Sequence, residues 1–347
     1  MEAFKVQRVH IVGSRVIKTG IAVFLTAWIC ELLHWPPVFA VITAIVTIEP
    51  TAADSIKKGI IRFPASAIGS AYAVIFISLF GSTPLTYMLA AVLTIATCFK
   101  LKLHAGLLVA TLTAVAMVEV IHSNYFLAFL IRLGTTTTGL LVSTMVNMFI
   151  LPPDYMKEIS QQADKNCKST ANTISHVFQY ILRQGENVQV DIQDIENLNQ
   201  KLRQTETLIQ FEKDEVRFHP LLGTKKTVFT DVEKRLHHLR LIHYHLENLV
   251  NTPIRKLSWN EQERRIVLKA AEGLAVSIAN PDSYHAARHQ TQLERLTKLF
   301  WEDNEEITRG YENYPTQFPP ELIILYELLA IYHQVTRLFE NGQNFPD

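Results

Sequence analysis

The chain has 347 residues, 33 Lys and Arg against 33 Asp and Glu, 48% hydrophobic residues and three cysteines. That length leaves room for two domains, and a formal charge of zero gives no reason to expect a nucleic-acid partner. Cys30, Cys98 and Cys167 are odd in number and scattered without C-x-x-C spacing, which argues against a disulfide framework or a zinc site.

The neutral total averages two unlike halves. Residues 1–152 hold ten Lys and Arg against five Asp and Glu, mostly outside long apolar runs; residues 153–347 hold 23 basic and 28 acidic residues, evenly interspersed. The first half reads as membrane and the second as a soluble helical domain. The opening apolar run leads into further runs with no small-residue cleavage pattern, so it does not read as a secretory signal.

Met1 to Lys18 spaces Lys5, Arg8, Arg15 and Lys18 among Phe4, Val9, Val12 and Val16, the pattern of a short amphipathic interfacial helix on the cytoplasmic side. Transmembrane spans are expected near 19–35, 38–48, 63–80, 85–99, 103–118 and 125–151. Pro36-Pro37 separates the first two, as a turn or as a kink, and Glu49 to Arg62 is expected as a polar link. Gly81-Ser82-Thr83-Pro84 signals a turn. Lys5, Arg8, Arg15, Lys18, Lys57, Lys58, Arg62, Lys100 and Lys102 fall on one side of a six-span arrangement, and the opposite links contain no Lys or Arg. The positive-inside rule then places both termini in the cytoplasm.

After Pro152-Pro153 the pattern becomes that of soluble amphipathic helices: 154–184, 192–216, 228–249, 260–279, 283–308 and 320–340. The expected fold class is therefore all-α: a polytopic membrane protein followed by a cytoplasmic helical bundle over 153–347.

Within the membrane half the chain repeats itself. Sliding Leu33–Gly69 forward by 70 positions onto Leu103–Gly139 gives nine identities in 37 positions without a gap, including His34/His104, Glu49/Glu119, Arg62/Arg132 and Gly69/Gly139. Average composition gives roughly two or three. Internal symmetry in a hydrophobic segment is a mark of membrane transport folds. Three spans per copy is an odd number, so the second copy lies inverted. Glu49 and Arg62 are then expected near the inner face, and Glu119 and Arg132 near the outer one.

Arg132 is the sharpest single residue. A guanidinium in hydrocarbon costs roughly 2.5–3.5 kcal/mol, so it must face protein or water. It suits contact with a planar oxyanion, or it snorkels outward or pairs with Glu119. Glu49 and Glu119 offer proton coupling or serve as interfacial charges; Arg62 gains interest from its match to Arg132. In Gly134–Gly139, Thr135, Thr136 and Thr138 either line a polar path or sit in close helix packing through Gly69, Gly134 and Gly139. His34 and His104 flank spans. His285 and His289 are spaced i,i+4, but no Cys, Asp or Glu completes a metal pattern. His237, His238, His243 and His245 are expected on a polar surface. No phosphate loop, dinucleotide fingerprint or H-E-x-x-H is present, so neither a cofactor nor an enzymatic activity is expected.

Gly59-x-x-Arg62-x-x-Ala65-Ser66-x-x-Gly69 resembles the G-x-x-R-x-x-G-T-x-x-G segment of the fusaric-acid-resistance and aromatic-acid-exporter superfamily, with Ala65-Ser66 in place of Gly-Thr. Glu49-Pro50-Thr51 and Lys57-Lys58 fit the same pattern. Arg15-x-x-Lys18-Thr19-Gly20 resembles the opening of its half-length bacterial members. The resemblance implies six spans in the plasma membrane, a cytoplasmic helical domain, a homodimer or higher homo-oligomer, and export or permeation of small organic anions such as aromatic carboxylates. Residues 62, 132, 49 and 119 and the threonine run would then touch substrate or line a pore. The competing expectation is a membrane-anchored helical scaffold or sensor that binds a cytoplasmic partner.

Overall fold

The computed structural model describes residues 13–120, 124–150, 154–182, 192–218, 220–221, 223–252, 257–310 and 319–340. The expected amphipathic segment before Gly13 and the Pro152-Pro153 stop lie outside them. The described residues contain twelve α-helices, two 3-10 turns and no strand. They divide into two compact units: one running to Asp154 and including Phe211–Pro220, the other Tyr155–Gln210 and the chain from Leu221.

The first unit holds α1 (Ser14–Leu32), α2 (Val38–Thr47), α3 (Ala52–Phe80), α4 (Pro84–Lys100), α5 (Leu107–Val120) and α6 (Tyr125–Phe149). Pro36-Pro37 belongs to a true turn. The Arg15 guanidinium at the start of α1 donates to Ile48 O beyond the end of α2 at 3.1 Å, so the two helices run antiparallel. The pair α4 and α5 is likewise antiparallel, since Tyr87 near the start of α4 donates to Glu119 near the end of α5. Both first helices stop the same way. His34 and Lys102 take positive φ values of 57° and 58°, and Trp35 N and Leu103 N reach back to Cys30 O and Cys98 O.

The segment Glu49–Arg62, expected as a polar link, is helical from Ala52. Thr51 Oγ1 caps the Asp54 N–H at 3.1 Å, with Asp54 in the first turn, and Lys57, Lys58 and Arg62 are good helix formers. The result is one 29-residue helix with Pro64 inside it. Arg62 is thereby moved from an edge to the middle of an element.

Helices α3 and α6 are central. α3 packs on α4, α5 and α6; α6 packs on α1, α2 and α3. Ser66 meets Thr136 at 3.2 Å and Ser55 meets Asn147 at 2.8 Å, so α3 and α6 cross antiparallel. At Gly69 a Cβ would collide with the Ala110 carbonyl, and at Gly139 with the Ala40 carbonyl. Each residue of the second pair differs by 70 from its counterpart in the first.

The packing of this unit reverses that of a soluble core. Ala22, Thr26, Cys30, Ala40, Thr43, Ala44, Ser66, Ser70, Ala90, Thr94, Cys98, Ala110, Thr135 and Thr136 are buried, while Phe24, Trp28, Ile60, Leu79, Val92, Leu112, Leu141 and Phe149 face outward. Against hydrocarbon a large apolar side chain gains nothing by turning inward, and small residues let backbones approach. Helices α3 and α6 are long and apolar enough to cross a membrane; α2, α4 and His104–Glu119 are shorter apolar helices.

The second unit is built from α7 (Met156–Leu182), most of α8 (Ile192–Val216), α9 (Thr224–Asn251), α10 (Glu261–Ala279), α11 (Ala286–Gly310) and α12 (Pro320–Glu340). Here Ile174, Phe178, Leu198, Leu239, Ile242, Leu246, Leu274, Leu328 and Ile331 share one core. Helix α12 also meets the length and hydropathy of a membrane span, but Ile324, Leu325, Leu328, Ile331 and Val335 are spent in this core. Its buried carboxylates are satisfied, Glu327 by His245 at 2.6 Å and Asn248 at 3.2 Å, and Glu321 by the Ser258 hydroxyl at 2.9 Å.

The histidines of α9 do not form the expected polar surface. His243 is buried against Ile195 O, His238 meets Gln334 at 3.0 Å, and His245 holds Glu327. The 3.6-residue period brings three of the four toward neighbouring helices.

Candidate functional site

The site grows from the α3–α6 crossing. Ser66 Oγ lies 3.2 Å from Thr136 Oγ1 and 3.3 Å from Thr113 Oγ1, and Thr113 in turn accepts from Arg132 Nη2. Four residues separate each arginine from its crossing residue. Arg62 and Arg132 therefore stand about 6 Å along their helices from the crossing, at the usual rise. Both are buried, at 7% and 5% exposure. Sequence expects them near opposite faces; in the structure they flank the α3–α6 crossing, one on each side of it.

Their partners differ. Arg62 donates to Glu49 Oε1 at 2.6 Å and to Ala105 O at 3.2 Å, and Lys58 completes a cluster on Glu49 at 2.9 Å. Arg132 has no carboxylate partner among the described residues. Its guanidinium lies 4.1 Å from the Phe39 ring centroid, and its Nε and Nη1 meet no hydrogen-bond acceptor among the described residues. Glu119, the counterpart of Glu49, is bonded to the Tyr87 hydroxyl. Neither the pairing with Glu119 nor outward snorkelling describes Arg132. Burying a guanidinium with two unpaired nitrogens is costly, and stacking on one aromatic ring recovers only about 0.5–2 kcal/mol.

The threonine run divides by face. Thr135 and Thr138 bond their own helix, at Arg132 O and Gly134 O, both at 3.0 Å, and Thr137 does so at Leu133 O. Thr136 alone reaches across, to Ser66. Gly134 leaves room for the Trp35 ring, and Gly69 and Gly139 admit the two carbonyls.

A second polar node was missed from sequence. Asn147 donates to Glu49 O and Thr51 O at 3.1 Å and to Ser55 Oγ at 2.8 Å, and accepts from Lys18 Nζ at 3.0 Å. Glu215, from the end of α8, accepts the Ala52 N–H at 3.0 Å, which places a carboxylate at the positive end of α3. A lone amide in a 25-residue apolar helix is a legible signal for Asn147, because such a group requires partners. Nothing local marks Glu215. Elsewhere, His34 and His104 are exposed. His289 Nε2 is engaged by Tyr332 O at 3.2 Å and Thr336 Oγ1 at 3.0 Å.

An all-helical protein with one unit packed for lipid and a buried cation at its centre is a membrane protein of the helical-bundle class. Residues 10–150 match the family described as aromatic acid exporter family member 1. Over its length the chain is 47% identical to the UPF0421 protein OB2406 of Oceanobacillus iheyensis, covering 92% of this chain and 93% of that one. It is 43% identical to a UPF0421 protein of Bacillus cereus (98% and 96%) and 36% identical to UPF0421 protein SSP0904 of Staphylococcus saprophyticus (95% and 97%). The chain belongs to this UPF0421 family.

Proposed function

We propose that the protein is a plasma-membrane transporter that exports organic anions, aromatic carboxylates foremost, with Arg132 as the anion-binding group. The observation that carries this reading is the buried Arg132 guanidinium with two unpartnered nitrogens. Its family supports it, since the matching description names an aromatic acid exporter.

In this reading α1–α6 cross the bilayer as two inverted copies of three helices, 1–18 lies on the cytoplasmic face, and 153–347 forms the cytoplasmic helical domain. The antiparallel α3–α6 crossing and the matched contacts Gly69–Ala110 and Gly139–Ala40 support an axis in the membrane plane. At 29 residues α3 is about 44 Å long, beyond the roughly 30 Å of hydrocarbon, whereas ten-residue α2 is about 15 Å. Short segments at corresponding places in two halves point to a transporter's binding site. Here they are α2 and α5, which supply Phe39 and Thr113 to Arg132.

The anion's oxygens take the Nε and Nη1 hydrogens of Arg132, while Thr113, Ser66 and Thr136 offer hydroxyls along the crossing. Arg62 is neutralised by Glu49 and fixes the other copy, so rocking of one copy against the other exposes Arg132 alternately. Homodimer assembly follows the resemblance.

The test is flux of a panel including 4-hydroxybenzoate and malate in proteoliposomes. Arg132→Ala should reduce flux about tenfold or more, the loss expected of a buried charged contact, with Arg132→Lys between. Equal flux would remove Arg132 from the mechanism. No flux for any acid would remove transport and leave the anchored scaffold or sensor.

A further inference from the structure

The second unit contains a cavity of about 450 Å³ between α10 and the start of α11, lined by Lys269, Glu272, Ser277, Arg288, His289 and Gln292 among others, with Tyr332 of α12 also in its wall. That volume is the size of small-molecule sites.

Several features give it a chemical preference. Lys269, Glu272, Gly273, Val276 and Ser277 form one face of α10 by helical spacing, while Val267, Ala270, Ala271, Leu274 and Ile278 of the same helix enter the core. The lining face is therefore held rigidly from behind. Gly273 has no packing reason to lack a side chain, since a Cβ there would meet nothing within 4 Å. A glycine inside a helix costs about 1 kcal/mol against alanine; here it widens the cavity.

Lys269 and Arg288 have no ion-pair partner among the described residues. The Arg288 charge acts on the Tyr332 phenol, which is itself anchored to Ala270 O at 3.0 Å. The first turn of α11 contains no acidic residue, so its dipole adds positive potential rather than meeting a carboxylate. Glu272 is the one acidic side chain among the described residues of the lining. His289 is buried, oriented by Tyr332 O and Thr336 Oγ1, and burial lowers its pKa; it acts as a neutral hydrogen-bonding group.

We propose that this cavity binds a small organic anion, its carboxylate or phosphate held by Arg288 and Lys269, and a hydroxyl or amino donor of the same molecule held by Glu272. The site is separate from Arg132 and does not rest on the transport reading. A ligand there acts on the helical unit.

The experiment is titration calorimetry of the full chain carrying Arg132→Ala, so that Arg132 takes no anion, in lipid nanodiscs with 4-hydroxybenzoate, AMP and inorganic phosphate as probes. One of them should bind saturably at one per chain. Arg288→Ala and Lys269→Ala should each weaken binding about tenfold or more, and Arg288→Lys less. Gly273→Leu should abolish binding without lowering the melting temperature, because the space for its side chain is the cavity itself. The probe that binds decides between carboxylate and phosphate. Unchanged binding in Arg288→Ala and Gly273→Leu, or no saturable binding of any probe, would overturn the site.

Discussion

At the scale of residues, the first unit turns on how two equivalent arginines are matched. Arg62 has Glu49; Arg132 has a phenylalanine ring and a threonine. Glu49→Gln should leave Arg62 buried without its anion and destabilise the protein by about 3–5 kcal/mol. Glu119→Gln, at an exposed side chain, should cost less than about 1 kcal/mol. Thermal unfolding in nanodiscs compares them, and equal losses would mean that Glu119 also serves an arginine.

In the second unit, burial holds the His243 and His289 imidazoles below their ordinary value of 6.5. Once the pH drops below about 6.5 the unfolded chain takes up protons that the folded one refuses, so stability falls from there downward and is unaffected at alkaline pH. The melting temperature should therefore be lower at pH 5.5 than at 7.5, and His243→Gln should flatten the difference.

The elements show which contacts set the architecture. Gly69→Ala and Gly139→Ala each push a Cβ into a backbone carbonyl that cannot swing away. Each should cost about 1–3 kcal/mol, and the two losses should match, because the positions are equivalent across the crossing. Gly59→Ala, whose Cβ would meet only Leu140 at 3.9 Å, should be tolerated. Unfolding midpoints of the three variants measure this directly; a harmless Gly139→Ala would mean that α2 and α6 are not held at backbone contact.

The repeat itself extends further than the sequence comparison reached. Buried Ala22, Thr26 and Cys30 of α1 match buried Ala90, Thr94 and Cys98 of α4 at an offset of 68. The change from 68 to 70 falls at the turns, where two extra residues interrupt a gapless alignment. Helix α3 shows the opposite limit. Charged residues in Lys57–Arg62 read as a link, yet a helix tolerates them wherever neighbouring helices supply partners.

At the scale of the whole molecule, two packing regimes share one chain. Small and polar residues inside with large apolar ones outside suit lipid, and leucine and isoleucine inside suit water. The proposed inverted arrangement makes a topological prediction. A cysteine at Ser82, in the α3–α4 connection, should react with a membrane-impermeant maleimide in whole cells, and a cysteine at Lys58 only after permeabilisation. Cys30, Cys98 and Cys167 are buried and should contribute little background. Labelling of both positions from outside would rule out that orientation.

Sequence by itself determined the helical class, the difference between the halves, the approximate position of most helices and the pair Arg62/Arg132, because periodicity, composition and internal identity are local properties of the chain. It also singled out Arg132, since a cation in an apolar run is expensive wherever it lands. Only the tertiary structure decided that Glu49 reaches Arg62 while Glu119 turns to Tyr87, that both arginines lie beside the crossing, and that Asn147 and Glu215 close the network at the start of α3. Those outcomes depend on which helices meet and at what register. Glu49 lies past the end of α2 and reaches Arg62, whereas Glu119 stays within α5 and meets Tyr87, and no local pattern in the chain records that difference.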